Sequence, residues 1–274
     1  MRDAEGGRAA AAASSDHHLL IEAVREAGTI ALRYFEEGGA SWEKRPGHLV
    51  GEADLAVDRF LRQTLLAARP EYGWLSEEHD DDLARLGRAR VFVVDPIDGT
   101  RSFLRHRPEF AISAALIEAG RPIAGCVFNP ATGELFEAEA GRGARCNGEA
   151  LEVSARGELS GATLLSGHTE LARKLWCERF PESTIEPISS IAYKLALVAS
   201  GRFDALISLW PKHDWDLAAG ALLVEEAGGR VSAADGAPLL FNQRRARVPH
   251  VVASNARLHA ALIARLAPAP RGRA

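Results

Sequence analysis

Residues 91–103, VFVVDPIDGTRSF, join a hydrophobic strand to a turn that carries two carboxylates. Four apolar residues lead directly into the turn DPIDGT (residues 95–100). Asp95 and Asp98 stand three residues apart around a rigid proline, so both carboxylates and the Ile97 carbonyl can face one point. Hard oxygen ligands of this kind suit Mg²⁺. The segment therefore predicts a strand whose C-terminal end holds a metal ion.

The residues after Asp98 favour a short helix. Gly99 and Thr100 open it, and free N–H groups at a helix N-terminus attract anions such as phosphate. A plain structural interpretation stays open for this segment taken alone, because Asp-Pro and Asp-Gly are also ordinary turn residues.

Other carboxylates occupy similar positions elsewhere. Glu77 and Glu78 follow a short strand at residues 73–76, and Asp216 stands where the N-cap of a helix is expected, in WDLAAG (residues 215–220). A solvated acidic loop and a simple N-cap are the alternatives for Glu77 and Asp216. Strand C-termini and helix N-termini are where sites form in α/β proteins, so their joint presence favours one shared site.

Outward from this segment, the N-terminal half is predicted to be α+β. Apolar spacing predicts a helix from Asp16 and a second from Ala53 that ends before Pro70, separated by a Gly/Pro/Arg-rich loop. Residues 110–139 contain three strand-length runs separated by turn residues, which is typical of an antiparallel meander.

The C-terminal half alternates strands and helices, so its predicted class is α/β. The division predicts a disordered tail (residues 1–15), an α+β subdomain with the metal-binding motifs (residues 16–150) and an α/β subdomain that completes the site (residues 151–274). The predicted site lies between the two subdomains.

Bulk properties exclude several classes of function. The chain has 274 residues and a formal charge of -4, which provides no strong field toward a nucleic acid polymer or an anionic membrane. No apolar run approaches the ~20 residues that span a bilayer. The N-terminus lacks the apolar core of a secretion signal, which favours a cytoplasmic location.

Together these motifs resemble the inositol monophosphatase superfamily. The resemblance rests on Asp54, the pair Glu77-Glu78, DPIDGT and WDLAAG, which occur in order across residues 16–267. It implies a layered αβαβα sandwich of the sugar-phosphatase type and a Mg²⁺-dependent, lithium-sensitive hydrolase of phosphate monoesters. Within the superfamily the segments are most similar to bacterial 3′(2′),5′-bisphosphate nucleotidases of the CysQ type.

The resemblance also implies roles for individual residues. Glu77, Asp95 and the Ile97 carbonyl would bind one Mg²⁺, and Asp95, Asp98 and Asp216 a second. Thr100, oriented by Asp54, would activate the water, with Glu77 close by. Lys44 falls where relatives carry a lysine near a weak third metal, although a surface lysine is the equal alternative. Glu78 is a supporting residue.

The substrate is predicted to be a small phosphorylated metabolite, and Asp98, Gly99, Thr100, Asp216 and Lys194 are its predicted contacts. The leading prediction is 3′-phosphoadenosine 5′-phosphate, whose second phosphate Lys194 or Lys212 would bind.

Two residues bear on the choice of substrate. Inositol enzymes carry a glutamate for ring hydroxyls where this chain has Leu209, and nucleotidases carry an arginine where it has Ser208. Inositol 1-phosphate and histidinol phosphate therefore stay open as substrates. A non-catalytic binding protein is disfavoured because no implied ligand is lost, and the resemblance makes a homodimer an open expectation.

Overall fold

A computed structural model describes residues 2–45, 48–174 and 176–266. Seven helices and sixteen strands are defined within those ranges, together with single 3₁₀ turns at Ala84–Gly87 and Cys177–Arg179. The helices are α1 (Arg2–Glu37), α2 (Glu52–Ala68), α3 (Thr100–Phe103), α4 (His168–Ala172), α5 (Ile191–Ala199), α6 (Asp214–Glu226) and α7 (Ala256–Leu266). The strands are β1 (Ser41–Arg45), β2 (His48–Gly51), β3 (Gly73–Ser76), β4 (Arg90–Asp98), β5 (Ala111–Glu118), β6 (Arg121–Asn129), β7 (Glu134–Glu139), β8 (Ala144–Cys146), β9 (Glu149–Ala150), β10 (Thr163–Ser166), β11 (Thr184–Pro187), β12 (Ala205–Ser208), β13 (Lys212–His213), β14 (Gly229–Ser232), β15 (Arg247–Val248) and β16 (Val251–Asn255).

Two large sheets and three helix layers alternate. Strands β3 to β9 form a seven-stranded sheet in chain order, and the second sheet has the order β11-β10-β12-β16-β14. Helices α1 and α2 cover one face of the first sheet, α5 and α6 lie between the sheets, and α7 packs on the second sheet. The predicted αβαβα sandwich and the predicted meander β5-β6-β7 are confirmed.

Strand β4 shows why both faces of the first sheet are covered. It is buried from Val91 to Asp98, as expected of a strand packed on both sides. Because successive side chains alternate, Phe92 and Val94 pack in the cluster with α1 and α2, whereas Val91 and Val93 pack in the cluster with α5 and α6.

Helix α6 lies close against the first sheet, although it comes from the second half of the chain. It contacts β4 to β8 of the first sheet and also β14 and β16 of the second. A Cβ added at Gly125 of β6 would be only 3.0 Å from the Ala219 Cα, so glycine permits this approach. The division at residue 150 separates the strands of the two sheets and stays our proposal for subdomains, but the core is common to both parts.

Several local predictions differ from the structure. Helix α1 begins at Arg2, within the segment predicted to be a disordered tail, because its alanine run has high helix propensity. The predicted loop before α2 contains the hairpin β1-β2. One of the helices expected in the C-terminal half, over residues 169–180, is represented in the described residues by α4 and a 3₁₀ turn. In the described residues, no helix combines the length and apolar character needed to cross a membrane.

Candidate active site

The C-terminal ends of β3 and β4 bring the first two carboxylates together. These strands are parallel and Ser76 pairs with Val94, so Glu77 and Asp95 follow at the same edge of the sheet. The Glu77 backbone N–H donates to the Val94 carbonyl at 3.3 Å, which continues the ladder to the site. The sheet register alone therefore places these two predicted ligands side by side.

A bulge in β4 presents the second aspartate of the turn. Asp95 pairs with Ser113 and Asp98 with Ala111. The chain therefore advances three residues along β4 for two along β5, so β4 contains one extra residue. The Asp95 Oδ1 accepts a hydrogen bond from the Ile97 N–H at 3.0 Å, which holds the turn. Without the extra residue, the pleat would direct Asp98 away from its present side.

Within the part of the chain that the structure describes, Asp98 is anchored through one of its two oxygens. Its Oδ2 accepts hydrogen bonds from the Ser190 hydroxyl and the Ala192 N–H, both at 2.6 Å, at the start of α5. Thus α5 fixes the orientation of this carboxylate, and Oδ1 stays available to a ligand.

Thr100 and Asp54 form the hydrogen-bonded pair that the sequence predicted. The Thr100 hydroxyl lies 3.1 Å from the Asp54 Oδ1 and 3.1 Å from the Ile97 carbonyl oxygen. The Asp54 Oδ2 accepts from the Gly51 N–H at 2.9 Å, at the start of α2. Asp54 is therefore held by a helix N-terminus and aimed at Thr100.

Asp216 occupies a different position in its helix from the one predicted. Helix α6 begins at Asp214, with His213 as its N-cap residue, so Asp216 is the third helical residue and not the N-cap. Its Oδ2 accepts from the His213 N–H at 2.7 Å, which is one half of a capping box. The small residues that follow allow this helix end to approach the first sheet.

The structure shows the hydrogen-bond partners of the two lysines that the sequence placed near the site. Lys44 on β1 donates to the Glu77 carbonyl at 3.1 Å and to the Glu78 Oε2 at 3.0 Å, so it ties the hairpin to the site. Lys194 is 2% exposed, and its ammonium donates to the Ser166 and Ile188 carbonyls. Lys194 is therefore buried and does not lie on the exposed face of α5.

One cavity of about 860 Å³ gathers most of the predicted residues. Glu77, Asp98, Thr100 and Asp216 border it, and Lys194 does as well. Asp95 is buried near these residues. It lies close enough for the charges of Glu77, Asp98 and Asp216 to raise its pKa. Among the described residues, six arginines and lysines also border the cavity, namely Arg101, Arg105, Arg107, Arg173, Lys194 and Lys212.

Burial and mutual repulsion raise the pKa values of the acidic residues. Burial first, and the charge of Asp216 second, raise the pKa of Glu77 to about 8. Burial also raises the pKa of Asp98 and of Asp216 to about 6, and that of Asp54 to about 7. A cation among these groups would relieve this repulsion, and their oxygens are the ligands that Mg²⁺ prefers.

The donor set therefore fits Mg²⁺ by its chemistry. In residues 2–45, 48–174 and 176–266, however, no group of three or more His, Cys, Asp or Glu side chains is placed so that it could hold a metal ion.

These pKa shifts predict how stability changes with pH and Mg²⁺. Raised carboxyl pKa values mean that the folded chain binds more protons than the unfolded chain between about pH 4 and 8, so metal-free stability falls as pH rises. We expect Mg²⁺ to raise the melting temperature more at pH 8 than at pH 5.5. Differential scanning fluorimetry with EDTA or Mg²⁺ measures this, and equal Mg²⁺ shifts at both pH values would contradict it.

Comparison with known proteins agrees with this geometry. The model of the inositol monophosphatase family matches residues 14–270. The chain belongs to the inositol monophosphatase family. As a member of this family it is a metal-dependent phosphatase that acts on a small phosphorylated molecule.

Individual members of the inositol monophosphatase family show how far the similarity extends. The chain is 39% identical over 231 residues to an inositol-1-monophosphatase of Rhizobium meliloti, which covers 80% of this chain and 85% of the relative. It is 30% identical over 264 residues to the Nus factor SuhB of Escherichia coli K12, at 91% and 94% coverage.

Among solved structures, the suppressor protein SuhB of Bartonella henselae superposes with a TM-score of 0.80 at 31% identity, covering 93% of this chain and 98% of that one. These names favour the inositol monophosphatase branch over the bisphosphate nucleotidases that the sequence favoured.

Proposed function

We propose that this chain hydrolyses the phosphate ester of an inositol monophosphate with Mg²⁺. The observation that carries the proposal is that Glu77, Asp98, Thr100 and Asp216 border one cavity. The 39% identical relative that bears the name inositol-1-monophosphatase supports the choice of substrate.

Membership of the inositol monophosphatase family favours two metal positions in this site. Glu77, Asp95 and the Ile97 carbonyl would hold one Mg²⁺, and Asp95, Asp98 and Asp216 would hold the second. Bound Mg²⁺ would supply positive charge to the phosphoryl oxygens and lower the pKa of water. Inhibition by Li⁺ or Ca²⁺ belongs to this proposal, because Ca²⁺ prefers longer bonds and more ligands than Mg²⁺.

The residues of the chain would orient the attacking water and the phosphate. While the Thr100 hydroxyl donates to Asp54, its lone pairs can accept a hydrogen bond from that water. Asp54, whose pKa burial raises to about 7, can accept a proton through Thr100 near neutral pH. The N–H groups of Gly99 and Thr100 would face the phosphate.

The surroundings of Leu209 weaken one argument against an inositol substrate. Its side chain packs with the core around α7, whereas its neighbours Ser208 and Trp210 border the cavity. The missing glutamate at this position therefore does not leave the cavity without a carboxylate, because Glu170 of α4 lies beside Ser208.

A second candidate substrate is a bisphosphate nucleotide such as 3′-phosphoadenosine 5′-phosphate. Lys194 and Lys212 border the same cavity, and either ammonium could bind a second phosphate. A charge-assisted contact of this type contributes about 1.5–3 kcal/mol.

The substrate test compares both compounds on one preparation with Mg²⁺. We expect a higher kcat/KM for inositol 1-phosphate, because the second phosphate would approach the Glu170 carboxylate as well as the lysines. An assay of phosphate release measures kcat/KM for each of the two substrates. If the bisphosphate nucleotide turns over faster and Lys212→Ala removes that advantage, the second candidate replaces the first.

A further inference from the structure

Glu170 lies outside every motif that the sequence analysis used. It belongs to the short helix α4, is 3% exposed, and borders the cavity that also contains Glu77, Asp98 and Asp216. A buried carboxylate in a substrate-sized cavity needs a physical explanation.

The described residues donate hydrogen bonds to one of the two oxygens of this carboxylate. The Glu170 Oε1 accepts hydrogen bonds from the Ser208 hydroxyl and the Trp210 N–H, both at 2.8 Å. The Oε2 is shielded from solvent and has no hydrogen-bond partner among the described residues. The two bonds to Oε1 fix the side chain, and Oε2 stays an unmet acceptor. A buried acceptor without a donor is unfavourable, so a donor on a bound ligand would gain a strong bond there.

The neighbouring charges indicate what kind of donor fits. Lys194 and Lys212 border the same cavity, and the charge of Lys212 helps burial to lower the pKa of Lys194 to about 8. A cationic amine on the ligand would be repelled by these ammonium groups. An anionic group would be repelled by Glu170 itself. A neutral hydroxyl satisfies Oε2 without either repulsion.

We propose that Glu170 is a specificity-determining residue whose Oε2 accepts a hydrogen bond from a hydroxyl of the leaving alcohol. The cavity would thereby select phosphate esters of polyhydroxylated alcohols over esters of plain alcohols or phenols. This inference rests on the proposed function, because it requires that phosphate esters bind in this cavity.

The test compares Glu170→Gln with the wild-type enzyme on two substrates, inositol 1-phosphate and phenyl phosphate. Glutamine keeps the size of the side chain and an acceptor for Ser208 and Trp210, but it places an NH₂ donor at the position of Oε2. We expect kcat/KM for inositol 1-phosphate to fall about ten- to a hundredfold, mainly through KM. Phenyl phosphate has no hydroxyl on its leaving group, so its kcat/KM should change less than about twofold.

A matched variant and a stability measurement separate this role from a structural one. Glu178→Gln makes the same chemical change at a side chain that is 74% exposed, and both substrates should keep their wild-type kinetics. Thermal unfolding of each variant reports folding. An equal loss on both substrates, or no loss on either, would overturn the role of Glu170.

A binding measurement keeps the inference testable if the enzyme hydrolyses neither ester. Calorimetry in Ca²⁺, which we expect to occupy the metal positions without turnover, gives dissociation constants for the same two compounds. Wild-type protein should bind inositol 1-phosphate at least about tenfold more tightly than phenyl phosphate, and Glu170→Gln should lose this preference. Inactivity with this pattern would reject the proposed function alone, whereas equal affinities in the wild type would reject the role of Glu170.

Discussion

An Asp98→Asn variant is expected to lose at least about a hundredfold in kcat, or about 2.7 kcal/mol of transition-state stabilisation, while it keeps the wild-type fold. The physical reason is that its two carboxylate oxygens have different roles in the proposed site. Asp98 Oδ2 accepts from Ser190 and Ala192, and an asparagine carbonyl can accept both bonds. The amide nitrogen then replaces Oδ1, so one negative ligand of the proposed metal site is lost without a change in packing.

Phosphate release and thermal unfolding measure the two halves of this prediction. Asp80→Asn is the matched control, because Asp80 is exposed on the loop after Glu77 and should tolerate the change. An Asp98→Asn enzyme with near-normal turnover would remove Asp98 from the proposed metal site. A variant that unfolds would show that Asp98 stabilises the fold through more than its hydrogen bonds.

Gly99→Ala is expected to lower the free energy of unfolding by about 2–4 kcal/mol and to reduce kcat strongly. Gly99 has a φ of 96°, in the left-handed region, and joins β4 to α3. An added Cβ would lie 2.7 Å from the Glu109 carbonyl oxygen, and 3.3 Å from the Phe110 Cα. The turn must move to relieve this contact, which displaces Asp98 and Thr100 on either side.

Gly133→Ala separates the backbone effect from the contact. Gly133 also has a positive φ, 71°, but nothing lies within 4 Å of its added Cβ. We therefore expect Gly133→Ala to lower the free energy of unfolding only by the left-handed penalty of about 1–2 kcal/mol and to keep normal activity. Urea unfolding gives both free energies, and equal losses for the two variants would contradict the close approach at Gly99.

The sequence was most informative where chemistry and local structure coincide. The turn DPIDGT lies where it was predicted, at the end of a buried strand, and Thr100 contacts Asp54 across 46 positions of sequence. The meander and the alternation of strands and helices in the second half were also predicted, because burial imposes apolar runs that turn residues interrupt. The roles of the carboxylates in metal binding stay predictions.

Other features depend on tertiary contacts that local patterns do not record. Glu170 looks like any glutamate of an exposed helix, and only the packing of α4 beside Ser208 places it in the cavity. The hairpin β1-β2 contains charged and apolar residues without a clear alternation, so its pairing could not be predicted. The burial of Lys194 also follows only from the position of α5 between the two sheets.

Helix α6 also has a consequence for the order in which the protein is made. The strands of the first sheet are complete once residue 150 has been synthesised, but residues 214–226, which cover one of its faces, come much later. A nascent chain that stops short of this helix would expose an apolar surface to the ribosome and the crowded cell. We therefore expect that fragments ending near residue 150 aggregate or need a chaperone, and that productive folding waits for nearly the entire polypeptide.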